Sequence, residues 1–305
     1  MLKNFYLRLL AIFSSSCLLL GCVNSSLFLA NTLARFDDYT VIENRIYGKE
    51  KLNTLDIYVP DVTQILNTPF PVVIFFYGGC WGGCATFNKE NYRFVAQALS
   101  SNQFITVIGD YRRYPQALFP EIINDSKNIV EWVKTYISHF HGDSNRIFLM
   151  GHSAGAHLAA MLTLNENYLK PETYQSIKGF IGLAGPYDFL PLTESYQKIV
   201  FGPTAKYPTS QPINFVSGTE PPLLLLQGIL DEDVLPKNAK NLSRKIKQMR
   251  GCAKLQLYKN TDHTEILGAL AIPIRDNKPV LTDIIKFLQH YSIPNAQCKT
   301  KLTDR

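Results

Sequence analysis

Residues 147–160 read Ile-Phe-Leu-Met-Gly-His-Ser-Ala-Gly-Ala-His-Leu-Ala-Ala, and their centre, Gly151-His152-Ser153-Ala154-Gly155, is a G-x-S-x-G motif. An apolar run typical of a buried strand precedes the motif, and a run rich in Ala and Leu, typical of a helix, follows it. Glycines two residues before and after Ser153 permit the close backbone approach that a tight strand-to-helix turn needs. We therefore interpret Ser153 as a nucleophile at such a turn, where the helix N-terminus favours developing negative charge.

The rest of the chain alternates apolar, strand-like runs with helical runs. Continuous apolar strands between helices are typical of a parallel sheet covered on both faces, so the sequence predicts an α/β fold with a mostly parallel central sheet. A length of 305 residues with 46% hydrophobic residues suits one large domain, which we place at residues 40–305. The segment at about 190–218 is rich in Pro, Gly, Tyr and Ser and is predicted to form a small cap near the site.

The individual elements are predicted from these runs. Strands are expected at Thr40–Tyr47, Leu52–Val59, Pro71–Tyr77, Phe104–Asp110, Arg146–Met150, Lys178–Ala184, Pro222–Gln227 and Lys254–Tyr258. Helices are expected at Asn88–Ser100, Pro120–Phe140, Ser153–Leu164, Pro236–Met249 and Val280–Tyr291.

Residues 1–21 are predicted to be a lipoprotein signal peptide. Lys3 and Arg8 are the only charged residues before Cys22, and the apolar run Leu9–Leu20 is short for a membrane span. The run Leu19-Leu20-Gly21-Cys22 resembles a bacterial lipobox, in which cleavage leaves a lipidated cysteine. We expect residues 22–39 to be a lipidated tether that holds the protein in the cell envelope, at the periplasmic face of the outer membrane in a Gram-negative bacterium. An ordinary signal peptide and an uncleaved anchor are the alternatives.

The remaining cysteines agree with export. Cys80, Cys84, Cys252 and Cys298 are an even number, as expected in an oxidising compartment. Three pairings exist, and we prefer Cys80–Cys84 with Cys252–Cys298, because the first pair is local and the second would tie down the C-terminal tail. Zinc is the weaker alternative because Cys80 and Cys84 lack a second clear ligand pair, so no metal is predicted.

A nucleophilic serine needs a base, an acid that orients the base, and donors for the oxyanion. Asp231 follows an apolar strand, and a carboxylate just past a strand's C-terminal end lies at the active-site edge of an open α/β sheet. His263 follows the next strand, so Ser153, Asp231 and His263 occur in the α/β-hydrolase order. Two rival acids lie in the same loop, Asp233 and Glu232.

The oxyanion donors are predicted from two places in the chain. One is the backbone N–H of Ala154, directly after the nucleophile. The other is the Gly-rich loop at residues 75–83, where the glycines let amides point into the site and Gly79 and Cys80 are the expected donors.

With these residues the chain resembles the α/β-hydrolase esterases of the hormone-sensitive-lipase and bacterial carboxylesterase type, which include acetyl esterases and kynurenine formamidase. The likeness runs from about residue 40 to residue 291. Tyr77-Gly78-Gly79-Cys80-Trp81 resembles the family's His-Gly-Gly-x-Trp, with Tyr77 where histidine is usual, and Gly228-x-x-Asp231-x-x-Val234 resembles its acid motif and favours Asp231 over Asp233. The Tyr77 departure bears on how the loop is braced and on the acyl pocket.

The sequence thus predicts a serine carboxylester hydrolase that forms an acyl-enzyme. A short cap without a long apolar lid helix favours short acyl esters. Amide hydrolysis, as in an arylformamidase or peptidase, and a non-catalytic hydrolase-fold binding lipoprotein are the alternatives. No cofactor is expected, and dispersed lysines and arginines at a net charge of +6 argue against a nucleic-acid partner. A membrane contact is expected only through the lipid on Cys22.

Overall fold

The computed structural model describes residues 26–61, 68–84 and 87–298. In this part of the chain one eight-stranded sheet forms the centre of the molecule. Its strands are β1 (Tyr39–Ile46), β2 (Thr54–Pro60), β3 (Phe70–Phe76), β4 (Ile105–Gly109), β5 (Gly142–His152), β6 (Ile177–Leu183), β7 (Leu223–Gly228) and β8 (Ala253–Tyr258).

The strand order is β1-β2-β4-β3-β5-β6-β7-β8. β2 pairs antiparallel with both β1 and β4, whereas every other pairing is parallel. The central strands β3, β5 and β7 are buried along most of their length, as their continuous apolar sequences predict. The predicted α/β-hydrolase fold is therefore confirmed.

Helices cover both faces of the sheet. They are α1 (residues 26–34), α2 (Arg93–Ser100), α3 (Phe119–Tyr136), α4 (Ala154–Leu164), α5 (Pro171–Gln175), α6 (Ser195–Val200), α7 (Lys237–Gln248), α8 (Glu265–Gly268) and α9 (Val280–Tyr291). Two predicted helices are shorter than expected, because their ends are 3-10 turns at Lys89–Tyr92 and Ile137–Phe140. β5 begins four residues before the predicted Arg146.

The N-terminal segment differs from the expected tether. Residues 26–34 form α1, in which Ala30 and Ala34 are buried. The side chain of Asn31 donates to the carbonyl of Asn91 at 2.8 Å and accepts from the amide of Phe94 at 3.1 Å. Part of the 22–39 segment is thus packed on the domain, whereas the signal peptide and Cys22 lie outside the described residues. No helix in the described ranges is long and apolar enough to cross a membrane.

Two disulfides confirm the preferred cysteine pairing. Cys80 and Cys84 are bonded with their Cα atoms 5.3 Å apart, and Cys252 and Cys298 are bonded with their Cα atoms 5.8 Å apart. The second bond fixes the C-terminal tail to the start of β8.

The segment at 190–218 lacks strands and contains α6 and two 3-10 segments, Thr204–Ser210 and Pro212–Phe215. We call residues 190–218 the cap segment.

Candidate active site

Ser153 lies at the sharp turn between β5 and α4. Its φ of 54° and ψ of −127° place it in a region that residues other than glycine rarely adopt. The neighbouring glycines make the turn feasible, because a Cβ at Gly155 would lie 2.0 Å from the carbonyl oxygen of Phe76. A Cβ at Gly151 would likewise lie 2.4 Å from the carbonyl carbon of Gly155. The turn therefore holds Ser153 at the carboxyl edge of the sheet, beside the N-terminus of α4.

Asp231 and His263 form a hydrogen-bonded pair at the same edge. His263 Nδ1 lies 2.9 Å from Asp231 Oδ2, and the Asp231 side chain is completely buried. Asp231 also accepts from the Gln227 side chain and from the amide of Val234, both at 2.8 Å. Because an ionised carboxylate only accepts hydrogen bonds, Nδ1 of His263 carries the proton. In a neutral imidazole with this tautomer, Nε2 presents the lone pair that a general base requires.

The two rival acids are exposed and do not hold this histidine. In the described part of the chain His263 is hydrogen-bonded to Asp231 and to neither Asp233 nor Glu232. Asp233 is nonetheless close. Asp231, Asp233 and His263 each have a side-chain atom that could bind a metal ion, and these atoms lie within 4.8 Å of one another. Asp231 already accepts three hydrogen bonds from protein groups, so the geometry is that of a fixed acid–histidine pair.

His152 connects the serine turn to the loop that carries His263. Its Nε2 donates to the backbone carbonyl of His263 at 2.9 Å, and the two imidazole rings are 4.7 Å apart. Burial, with a smaller effect of the neighbouring His263, lowers the pKa of His152 to about 3. His152 is therefore neutral near pH 7. Its position as the x before the serine is the only sequence signal that could have singled it out.

The loop after β3 lies directly against Ser153. A Cβ at Gly78 would be 2.9 Å from the Cβ of Ser153. The next four residues have positive φ, at 114° for Gly79, 54° for Cys80, 54° for Trp81 and 102° for Gly82. This conformation costs a residue other than glycine about 1–2 kcal/mol. The oxyanion loop, as we call residues 78–84, is thus an unusually constrained turn.

Of the predicted oxyanion donors, Gly79 and Cys80 lie on this turn, and Ala154 begins α4 directly after Ser153. Within the described ranges, the amides of Gly79, Cys80 and Ala154 donate to no protein acceptor. Amides without an internal partner beside a nucleophile can bind the oxygen of a tetrahedral intermediate. The turn itself is closed by hydrogen bonds of 2.9 Å from Gly82 N to Gly79 O and from Gly83 N to Cys80 O.

Tyr77 supports the start of the oxyanion loop. Its hydroxyl donates to Asp110 Oδ1 at 2.7 Å, and Tyr111 donates to the Tyr77 carbonyl at 2.5 Å. The Tyr77 ring stacks between those of Tyr92 and Tyr111, at centroid distances of 5.2 and 4.9 Å. Burial raises the pKa of Asp110, an effect opposed by the hydrogen bonds from Tyr77 and from the amide of Lys89. Tyr77 therefore braces the loop at the position where the sequence resemblance led us to expect histidine.

His157 of α4 joins the oxyanion loop to the cap segment. Trp81 Nε1 donates to His157 Nδ1 at 3.1 Å, and His157 Nε2 donates to the Ser210 carbonyl at 2.7 Å. Burial lowers the pKa of His157 to about 4. Three further rings pack around this pair, those of Phe119, Phe189 and Phe201. The protein's own aromatic side chains thus occupy the region between the oxyanion loop and the cap.

The sequence of well over half the chain matches one family. The model of the BD-FAE family covers residues 55–246. The chain belongs to the BD-FAE family. This match includes the oxyanion loop, Ser153 and Asp231, whereas His263 lies beyond it.

Curated relatives are named as hydrolases. Isoprenylcysteine alpha-carbonyl methylesterase ICME of Arabidopsis thaliana is 29% identical over 289 residues, which cover 86% of this chain and 65% of that protein. Kynurenine formamidase of Salmo salar is 33% identical over 150 residues, which cover 49% of this chain and 47% of that protein. The chain thus spans less than two thirds of the length of these relatives. The predicted resemblance to α/β-hydrolase esterases, kynurenine formamidase relatives included, is confirmed.

Solved structures share the fold. A truncated carbohydrate esterase from gut microbiota superposes with a TM-score of 0.72 at 20% identity, over 84% of this chain and 98% of that one. The propionate-bound esterase Est2 of Thermogutta terrifontis superposes with a TM-score of 0.66 at 19% identity, over 81% of this chain and 93% of that one. At this level of identity the likeness concerns the arrangement of the backbone.

Proposed function

We propose that this BD-FAE family member is a serine hydrolase of carboxylic esters. The observation that carries the proposal is the 2.9 Å hydrogen bond between His263 and buried Asp231, at the same sheet edge as the strained turn of Ser153. His152 adds support, because it follows β5 directly and its side chain reaches the His263 carbonyl. The family match and the esterase names among the relatives agree with this assignment.

In the proposed reaction Ser153 Oγ attacks the acyl carbonyl while its proton moves to His263 Nε2. Asp231 stabilises the imidazolium and keeps the ring in its orientation. The amides of Gly79, Cys80 and Ala154 hold the oxyanion. Collapse of the intermediate expels the alcohol, which takes the proton from His263. Water, activated by the same imidazole, then releases the acid from the acyl-enzyme.

Short acyl groups are the proposed substrates. The rings of Trp81, Phe119, Phe189 and Phe201 pack together between the oxyanion loop and the cap segment, and we infer that they leave little room there for a long acyl chain. A p-nitrophenyl ester series from acetate to decanoate tests this. We expect kcat/KM to be highest for acetate to butyrate and to fall for longer chains. A maximum at octanoate or above would contradict the proposal.

Amide hydrolysis is the second candidate, because one relative is by its name a formamidase. Esters and amides can be compared on matched aryl leaving groups. A higher kcat/KM for N-formyl anilines than for phenyl esters of the same acid would favour that candidate.

We also propose that the mature protein is attached to the cell envelope through a lipid on Cys22. The Leu-Leu-Gly-Cys pattern at residues 19–22 supports this location.

The decisive experiment on the nucleophile uses a fluorophosphonate. Labelling should map to Ser153 by peptide mass spectrometry. Ser153→Ala should abolish labelling and lower ester turnover by at least about 99.9%. Because the backbone of the turn is held by its glycines, the variant should keep its circular dichroism spectrum. A folded Ser153→Ala protein with near wild-type turnover would exclude the proposed function.

A further inference from the structure

The disulfide of Cys80 and Cys84 lies within the oxyanion loop. It joins the residue that offers one proposed oxyanion amide to a residue four positions later. Positive φ values at Cys80 and Trp81 mean that two residues other than glycine are held in a conformation that they disfavour. Such backbone conformations persist where the surroundings over-determine them.

Trp81 and Cys80 are restrained in different ways. The Trp81 side chain is buried and bonded to His157, and its carbonyl accepts from the amide of Tyr114 at 2.9 Å. Cys80 is half-buried, and its side chain is restrained by the covalent bond to Cys84. The backbone conformation of Cys80 therefore depends on the disulfide more than the backbone conformation of Trp81 does.

We propose that the Cys80–Cys84 disulfide is a positioning element for catalysis, which holds the oxyanion amides of Gly79 and Cys80 in place. This inference rests on the proposed function. Without the bond, residue 80 can relax to negative φ and its amide turns away from the position of the oxyanion. The expected defect is in kcat, because the oxyanion forms in the transition state and the substrate's binding surface is otherwise intact.

The bond is also reachable by reductants. Cys84 is exposed, and its sulfur lies 3.9 Å from the hydroxyl of Tyr196 on α6. A dithiol such as dithiothreitol would attack the disulfide through a mixed disulfide and supply two electrons and two protons. Cys80 and Cys84 end as thiols, and the dithiol ends as its cyclic disulfide. Activity is therefore expected to fall on reduction and to return on reoxidation.

The matched experiment compares two double variants in the full-length protein. Cys80→Ser/Cys84→Ser removes the bond in the oxyanion loop, and Cys252→Ser/Cys298→Ser removes the bond to the C-terminal tail. The tail bond closes a separation of 46 residues and the loop bond one of 4, so loss of the tail bond should lower Tm more. Activity should rank the opposite way. We expect kcat to fall about 10- to 100-fold in the loop variant, with KM within about threefold, and to stay within about twofold in the tail variant.

A glycine variant separates conformation from mere stability. Glycine adopts φ near 54° without steric cost, so Cys80→Gly/Cys84→Ser should recover part of the kcat lost in Cys80→Ser/Cys84→Ser. Dithiothreitol should inhibit the wild type and the tail variant and leave the loop variant unchanged. Wild-type kcat in the loop variant, an equal kcat loss in the tail variant, or no recovery with glycine would each overturn the inference. If the wild-type protein itself shows no ester turnover that depends on Ser153, the proposed function is wrong instead.

Discussion

The imidazole of His152, the residue immediately before Ser153, donates a 2.9 Å hydrogen bond to the backbone carbonyl of His263. This bond links two residues 111 positions apart. Its acceptor is a main-chain carbonyl, so a substitution of the His263 side chain would not remove it. The bond fixes the loop on which the proposed base is carried, while the Asp231 carboxylate fixes its ring.

His152→Phe should therefore impair catalysis by releasing the His263 loop. The phenyl ring fills the buried space but cannot donate, so we expect kcat to fall about 10-fold, the equivalent of about 1.4 kcal/mol, at unchanged KM. His152→Gln keeps a donor and should lose less. Steady-state kinetics on p-nitrophenyl acetate measure both variants. Equal kcat values for Phe, Gln and the wild type would show that the bond does not position the base.

Asp231→Asn should reduce kcat by several orders of magnitude, about 10⁴-fold, because an amide favours the wrong tautomer of His263. Asp233→Asn is the matched control, since this exposed carboxylate lies nearby without a bond to the histidine. It should retain kcat within about threefold. Equal or reversed losses, in variants whose circular dichroism spectra match the wild type, would move the role of the acid to Asp233.

Tyr77→Phe removes the hydroxyl that donates to Asp110 Oδ1 at 2.7 Å. Loss of this bond in a buried site should lower the free energy of unfolding by about 1–3 kcal/mol, and the displaced oxyanion loop should lower kcat as well. Urea unfolding and steady-state kinetics test both effects. Tyr136→Phe, at an exposed tyrosine on α3, serves as the control and should change neither quantity. An unaltered Tyr77→Phe protein would mean that ring stacking alone braces the loop.

His157 should make the protein less stable in acid. Its pKa is about 4 in the folded state and about 6.5 when unfolded, so the unfolded state binds more protons between these values. Its contribution is fully present above pH 6.5 and is lost as the pH falls towards 4, by about 3 kcal/mol in total.

Urea unfolding at pH 7.5 and 4.5 measures this loss. In His157→Gln the decrease in unfolding free energy between the two pH values should be smaller than in the wild type. His139→Gln, at an exposed histidine, should keep the wild-type decrease. An identical pH dependence in all three proteins would contradict the assignment of His157 as a buried neutral group.

Cys22→Ala should abolish lipidation, so the protein should be unprocessed or leave the membrane fraction. Intact mass and fractionation after expression in a bacterial host measure this outcome, and Cys17→Ala is the control that should behave as the wild type. Unchanged mass and partition of the Cys22→Ala protein would exclude the lipid anchor.

The placement of the candidate catalytic residues largely follows from the sequence. Parallel strands are recognisable as continuous apolar runs, and the loops that follow them lie at the same edge of the sheet. That rule predicted the placement of Ser153, Asp231 and His263 without knowledge of any distance. The interactions between those loops could not be predicted in this way. The bond of His152 to the His263 carbonyl and that of Tyr77 to Asp110 join residues 111 and 33 positions apart, and neither has a local pattern.

Helix α1 illustrates the same limit at the N-terminus. The sequence indicated a tether there because the segment follows the lipobox-like Cys22 and precedes the first predicted strand. The segment is stabilised instead by tertiary contacts of Asn31 with Asn91 and Phe94, which no window of the local sequence contains.

The packing of α1 would also limit the reach of the proposed lipid anchor. If Cys22 carries lipid, three residues separate it from residue 26, the first of the described helix. At about 3.5 Å per residue, four steps along the chain span at most roughly 14 Å, less than the width of a small domain. The catalytic domain would then stay within a thin layer above the lipid headgroups. Esters concentrated at the membrane surface would reach the catalytic domain by two-dimensional diffusion. Esters dissolved in bulk water would first have to diffuse to the membrane.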